Sequence, residues 1–372
     1  MKTVRRLLYA DIVSSVAFVA LAFLSLFFFI DFVDELSAAV APGYSAFSAA
    51  AYGVLLMPGH LYELLPIAVL IGAIYALSRM AQSSEFTILR TGGLGPARAL
   101  KLLTWLGLAF GVLTFVVGDY IAPWAEARAA NWQAQSRGNL KLGRSGAWLK
   151  DHAVTPQGER NYAINVGGVG TAGTTFGTLR DVRIFEFDTD GRLLRRVAAQ
   201  QVRIEAKADS KAPWALSDVK LTQWDAQNVT QSELAKMPWP STLSAKVVAA
   251  AVLPLTTMST LDLARYINHL ADNEQAAQQY QIQFWKRALY PLACLVMMAL
   301  ALPFAYLQTR AGSISLKVFG GIMLGISFVL LNNVAGHLGV LRDWTPWIVA
   351  SAPSALYLLF SLAAFGWLVR YR

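Results

Sequence analysis

Six stretches of this sequence are almost free of Asp, Glu, Lys and Arg: residues 12–30, 64–78, 102–118, 288–308, 318–340 and 347–369. A helix needs about 20 apolar residues to cross a hydrocarbon core of roughly 30 Å, and most of the six meet that length. The second is short and must recruit residues 60–63 at its outer end. The chain is 15% charged and 55% hydrophobic, with a mean hydropathy of +0.43. Soluble domains are about 25% charged, so this one lacks the polar surface to live in water. The expected class is an integral membrane α-helical protein with six transmembrane helices.

Charge in the short loops orients the helices, because Lys and Arg collect on the cytoplasmic side. Lys2, Arg5 and Arg6 precede the first block, and Arg79, Arg90, Arg98 and Lys101 follow the second. Arg310 and Lys317 lie between the fourth and fifth, and Arg370 and Arg372 come after the sixth. The other side is acidic, with Asp31, Asp34, Glu35 and Glu63 and no Lys or Arg from residue 31 to 78. Both termini are therefore expected in the cytoplasm, and the net charge of +9 is a topology signal rather than a nucleic-acid footprint. The first block is longer than a secretory h-region. Three acids separate it from the small residues Ala39-Val40-Ala41, which favours an uncleaved first helix. The lone Cys294 leaves neither a disulfide framework nor a cysteine-based metal site.

Residues 124–257 form an inserted domain with a different pattern. Residues 160–166, 178–187, 197–206 and 214–224 alternate as half-buried strands do, and Asp188-Thr189-Asp190-Gly191 marks a turn. A β sandwich or jelly roll is the natural class, outside the membrane after three crossings. Beyond it, Thr260 is placed to cap a helix to about Leu270. A second helix from Glu274 is expected to lead into the fourth crossing. The chain thus divides into 1–123, 124–257 and 258–372.

Motifs exclude several chemistries. There is no G-x-x-x-x-G-K-[ST], so ATP is not bound by a P-loop, and there is no H-E-x-x-H or G-x-S-x-G. His60, His152, His269 and His337 have no ligand spacing. No catalytic residue and no metal ligand is assigned. Residues 168–173 match G-x-G-x-x-G but lack the following helix that dinucleotide binding requires; they read as a loop of the β domain. Gly107-x-x-x-Gly111 and Gly321-x-x-x-Gly325 let helix backbones approach closely in lipid, either within the chain or against a second subunit.

The loop after the second block carries a short helix near residues 83–92. Ser83 or Ser84 can accept a hydrogen bond from an orphan N–H at its start. Glu85 lies where the dipole favours an anion, and Gly92 or Gly93 can end it. Phe86 and Leu89 share one face. Such a helix fits a groove on a soluble partner or the membrane surface.

Several motifs resemble one family. Phe32-Val33-Asp34-Glu35-Leu36, the Ser84-Glu85 helix, Gly118-Asp119-Tyr120-Ile121-Ala122-Pro123 and Trp285-Lys286-Arg287 with Pro291 look like the LptF/LptG permeases of the Gram-negative lipopolysaccharide exporter, in the same order along the chain. The first of these and the long last block resemble the LptG type more than the paralogous LptF. The resemblance implies half of an ABC transporter in the inner membrane, with a periplasmic jelly roll. Its partners would be LptF, a dimer of the ATPase LptB that holds the ATP and Mg, the single-span LptC, and LptA through the periplasmic domains. It places ATPase coupling on Ser84, Glu85, Phe86, Leu89 and Arg90. It lines the lipid cavity with Phe27, Phe28, Phe29, Ile30, Asp31 and Phe32 of the first crossing and with Leu324, Phe328 and Leu331 of the fifth. Members of the family carry lysines near the outer end of the first helix, where this chain has Asp31, Asp34 and Glu35. Phosphate contact would then fall to Lys286 and Arg287, or to a cation bridging acid and phosphate. An intramembrane lipid-modifying enzyme is the rival class, with Asn332, Asn333 and His337 as its polar candidates.

Overall fold

The computed structural model describes residues 2–38, 45–93, 95–137, 140–141, 146–155, 158–170, 178–204, 213–225, 228–241, 243, 248, 258–272, 277–306 and 314–370. Ala39-Val40-Ala41, residues 171–173 of the glycine motif, Glu274, Arg310 and Arg372 lie outside them. In chain order come α1 (Lys2–Ala38), α2 (Ala46–Gln82), α3 (Glu85–Thr91) and α4 (Pro96–Val116), then a π turn (Val117–Ile121) and α5 (Ala122–Arg137). Seven strands follow: β1 (Leu140–Lys141), β2 (Ala147–Thr155), β3 (Gly158–Gly170), β4 (Thr178–Phe187), β5 (Leu193–Arg203), β6 (Trp214–Trp224) and β7 (Val229–Trp239). The last helices are α6 (Thr260–Asp272), α7 (Gln278–Tyr306), α8 (Ile314–Leu341) and α9 (Pro346–Arg370). The chain forms two compact units: residues 1–38, 46–126 and 278–372, and residues 39–45 with 127–277.

Six helices among the described residues are long and apolar enough to cross a membrane: α1, α2, α4 continued into α5, α7, α8 and α9. Two differ in extent from the sequence reading. Helix α2 begins at Ala46 and runs 37 residues; Glu63 interrupts the charge-free run and hides the helix's first half. The third crossing does not close at Pro123. The chain turns through one π turn and continues as α5. Pro123 sits in the first turn after that irregularity, where its missing N–H is tolerated.

Helix α2 is the centre of the first unit, packed against α1, α4, α7 and α8. Glycines set these approaches. A Cβ on Gly72 would lie 2.6 Å from Val16 Cα of α1, and one on Gly321 of α8 would lie 2.6 Å from Ile74 Cδ1. Gly325 faces Ile67 in the same way, while Gly107 and Gly111 of α4 press on Leu295 and on the Pro291 carbonyl of α7. Both small-xxx-small pairs therefore pack helices within this chain.

In the second unit, β3 to β7 run as an antiparallel meander, with β1 and β2 both pairing with β3. β2 and β7 escape the period-2 reading because charged and polar residues interrupt their alternation. The sheet curls. β3 and β7 are four strands apart, about 19 Å in a flat sheet, yet the rings of Tyr162 and Trp239 meet edge to face at 5.5 Å. Ile164, Val182, Ile184, Val197, Val202, Trp214 and Leu216 fill the interior. Burial pushes the Tyr162 phenol above its usual range. Glu186 is buried against Arg195, whose guanidinium lies over the Trp239 ring. Ser259, one residue before the expected Thr260, caps α6: its Oγ accepts from Asp262 N at 3.1 Å and donates to the Asp262 carboxylate at 2.6 Å.

One row of residues bends the whole sheet. The strand pairing skips Gly167, Asp181, Gln200, Asp218 and Ala235, which lie side by side on β3 to β7, while the register on either side is unchanged. Along β4, β5 and β6 the inward alternation shifts phase at this row, leaving two successive residues turned outward. Asp181 and Asp218 take φ of 51° and 53° there, a region that short Asp side chains tolerate better than most. We expect Asp218→Gly to leave thermal unfolding of the chain unchanged or raise its midpoint. Asp218→Val should destabilise the β unit by about 1–2 kcal/mol. Equal midpoints for the two variants would mean that the corner does not depend on this conformation.

Candidate functional site

The short helix α3 lies between α2 and α4 and is fixed from within. Phe86 is only 4% exposed; its ring meets Tyr306 of α7 edge to face at 5.3 Å, and Tyr306 in turn meets Phe365 of α9 at 6.0 Å. Leu89 packs on the same core. The two residues expected to face a partner therefore anchor the helix to its own bundle. Its outward face carries Glu85 and Ile88, the latter 66% exposed. The side chain of Arg90 is outside the described residues.

Capping also differs from expectation. The Ser83 hydroxyl donates back to the carbonyls of Arg79 (3.2 Å) and Met80 (3.3 Å), at the end of α2. Ser84 makes the reversal itself, with φ of 60°, and its carbonyl accepts from Ile88 N at 3.0 Å. Gly93, with φ of 103°, is the left-handed residue that ends α3, and Arg98 Nη1 donates to its carbonyl at 2.9 Å. Beside this helix an ion pair between Arg79 and Asp11 ties α2 to α1.

The proposed cavity residues divide by face. Phe27 stacks on His60 of α2 with ring centroids 4.8 Å apart, and His60 Nε2 lies 2.7 Å from Asp31 Oδ2. Phe28 fills the space above Gly53 and stacks on Phe32 at 6.2 Å. These residues hold α1 to α2, whereas Phe29 and Ile30 point outward. On α8, Phe328 is 3% exposed and meets Tyr357 at 5.3 Å, and Leu324 and Leu331 pack on the same core. The outward stripe of α8 is Phe319, Met323, Ile326, Leu330 and Val334.

Lys286 and Arg287 are also turned inward, against the expectation that they meet phosphate. Arg287 is 7% exposed; its Nη2 donates to the Gly118 carbonyl at 2.5 Å and its guanidinium lies 5.6 Å from the Tyr62 ring centroid. Lys286 Nζ donates to the Asn332 carbonyl at 2.8 Å along α8. Asp31 likewise has a partner in His60, so the acid pictured as bridging a cation to phosphate is engaged. Asn333 and His337 are exposed on α8, away from Asn332. Among the described residues no cluster of three His, Cys, Asp or Glu could hold a metal.

The family described as lipopolysaccharide export system permease LptF/LptG matches residues 6–368. The chain belongs to that family. It is 28% identical over 339 residues to the lipopolysaccharide export system permease protein LptG of Escherichia coli K12, covering 90% of this chain and 89% of that protein. It is 25% identical over 332 residues to LptG of Haemophilus influenzae, covering 89% and 88%.

Set against this family, Ile88 and His60 are what the sequence reading missed. Ile88 is one of several apolar residues in α3, and only packing reveals which face the bundle takes. His60 lies 29 positions from Asp31, so no local spacing could pair them. Phe86→Ala should lower the unfolding midpoint of the purified chain by an amount equivalent to about 3–5 kcal/mol. Ile88→Ala should leave it unchanged. A silent Phe86→Ala would mean that α3 is not held by its aromatic contact.

Proposed function

We propose that this chain is a permease half of the inner-membrane lipopolysaccharide exporter, of the LptG type. It would pair with LptF on a dimer of LptB and work with LptC and LptA. The observation that carries the proposal is the family match across both units, 6–368, together with a rigidly seated α3 that offers Glu85 and Ile88 outward. The sequence has no P-loop, so ATP and Mg belong to the partner ATPase. Force would enter through α3, because Phe86 joins it directly to α7 and, through Tyr306, to α9. A push on this helix is delivered to packed aromatic rings rather than to a loop.

In this reading both termini and α3 face the cytoplasm, the β unit is periplasmic, and the outward apolar stripes of α1 and α8 face acyl chains. Ser84 sets the α2–α3 reversal, Glu85 supplies charge on the face that carries Ile88, and Arg90 belongs to the same helix. In intact cells an impermeant thiol reagent should label Thr189→Cys and not Ser83→Cys. The native Cys294 is buried and gives little background.

Coupling is tested on the assembled complex. Glu85→Lys reverses a charge at the docking face and should release the ATPase or uncouple hydrolysis from lipopolysaccharide release. Loss of one partner from a buried ion pair costs about 3–5 kcal/mol. A mere dipole contribution at an exposed site is worth about 0.3–1 kcal/mol. Ile88→Ala should weaken the same contact without lowering the stability of the permease. Normal copurification and normal release in both variants would remove α3 as the coupling element.

A further inference from the structure

Beside the corner row, the outer face of the β unit holds a groove of about 440 Å³ lined by Thr178, Gln201, Arg203, Ser217, Lys236 and Pro238. The register explains why these residues converge. Thr178, Arg203, Ala215 and Pro238 are partners in one row across β4 to β7, and Arg180, Gln201, Ser217 and Lys236 form the row two positions along. Residues two apart share a face, and the corner at Asp181, Gln200 and Asp218 bends the strands at one end of that surface. Two cations, an amide and two hydroxyls thus meet over a floor of Ala215, Leu216 and Met237.

The charge in this groove is unanswered. Elsewhere on the sheet Lys220 pairs with Glu233 at 2.9 Å, and Glu186 pairs with Arg160 and Arg195. Among the described residues Arg203 and Lys236 have no acidic partner, and no acid lines the groove. The carboxylates of Asp181 and Asp218 stand in the corner row, outside the lining. Arg180 adds a third cation next to Gln201, and its buried Nε has no hydrogen-bond partner among the described residues.

We infer that this groove binds the phosphate of a phosphorylated saccharide. Guanidinium and ammonium groups give phosphate short charge-assisted hydrogen bonds. Gln201, Ser217 and Thr178 offer the mixed donors and acceptors that sugar hydroxyls need, and Pro238 and Ala215 provide a flat apolar surface for the ring. A site of this volume falls in the range of small-ligand pockets and is too small for a helix. Under the function proposed above, the ligand is the phosphorylated headgroup of the exported lipid; the inference rests on that reading for the source of the phosphate alone.

The test uses the full chain in its assembled complex in nanodiscs, with deacylated, phosphate-bearing lipopolysaccharide oligosaccharide as the probe in calorimetric titration. Binding to the wild type should weaken as salt rises and become at least about tenfold weaker in Arg203→Ala/Lys236→Ala, since both strong charge-assisted contacts are removed. The same oligosaccharide after phosphatase treatment should bind as weakly as in the double variant. Inorganic phosphate binding as tightly as the oligosaccharide would support the anion site and assign it to free phosphate. Equal affinity in wild type and double variant, or an acidic peptide binding where the oligosaccharide does not, would overturn the inference. Lipid-stimulated ATP hydrolysis by the same wild-type complex is measured in parallel. Its presence leaves the export reading standing even if the groove binds nothing.

Discussion

Backbone contact at α2 is the interaction on which the membrane unit depends. In lipid no hydrophobic effect drives helices together, so close packing and internal hydrogen bonds must hold the bundle. Gly72 brings the α1 backbone onto α2, and Gly321 and Gly325 let the Ile74 and Ile67 side chains of α2 lie flat on α8. α7 adds a third neighbour, itself tied to α4 through Gly107 and Gly111. With so many neighbours, α2 is apolar all round and carries no polar stripe, as a central helix must.

Where the bundle departs from regular helix, a specific donor repairs it. The π turn at Val117–Ile121 disturbs the hydrogen-bond ladder within the third membrane-spanning helix, and backbone groups freed in such a helix must find partners. Arg287 supplies one from the neighbouring helix by donating to the Gly118 carbonyl. Lys286 also donates to a backbone carbonyl, that of Asn332 in the regular helix α8. Two adjacent cations that look like ligands for an anionic headgroup are thus spent on the protein's own carbonyls. Their place next to each other on α7 points them at two different helices.

The six spans were legible because charge exclusion by lipid acts on every residue of a span and leaves a gap that composition alone can find. The strands 178–187 and 214–224 were legible for a similar reason, their alternation being enforced by burial on one face. Facing was less legible. Phe86 and Ile88 are equally apolar, and Phe27 and Phe29 are the same residue type two positions apart; which of each turns inward is decided by helices distant in sequence. The polar partners were the least legible. Asp31 with His60, Arg287 with Gly118 and Lys286 with Asn332 join residues from 29 to 169 positions apart, where no spacing rule applies.

The corner of the β unit shows how a long-range feature can be written locally and still be missed. β4, β5 and β6 keep their alternation on both sides of the row, so a short window on either side reads as an ordinary strand. Only the phase differs. A sheet that bent at different places in different strands would break its pairing, since a displaced residue on one strand must face a displaced residue on the next. Placing the irregular residue at Gly167, Asp181, Gln200, Asp218 and Ala235, each opposite the last, keeps the register intact across all five strands. It also lets the sheet turn as one piece. The turn brings Trp239 over Tyr162 and closes the core on itself. On the opposite face, the same pairs of outward residues set Gln201 and Ser217 beside each other next to Arg203 and Lys236. Closing the apolar interior and opening the charged groove are therefore two consequences of one row.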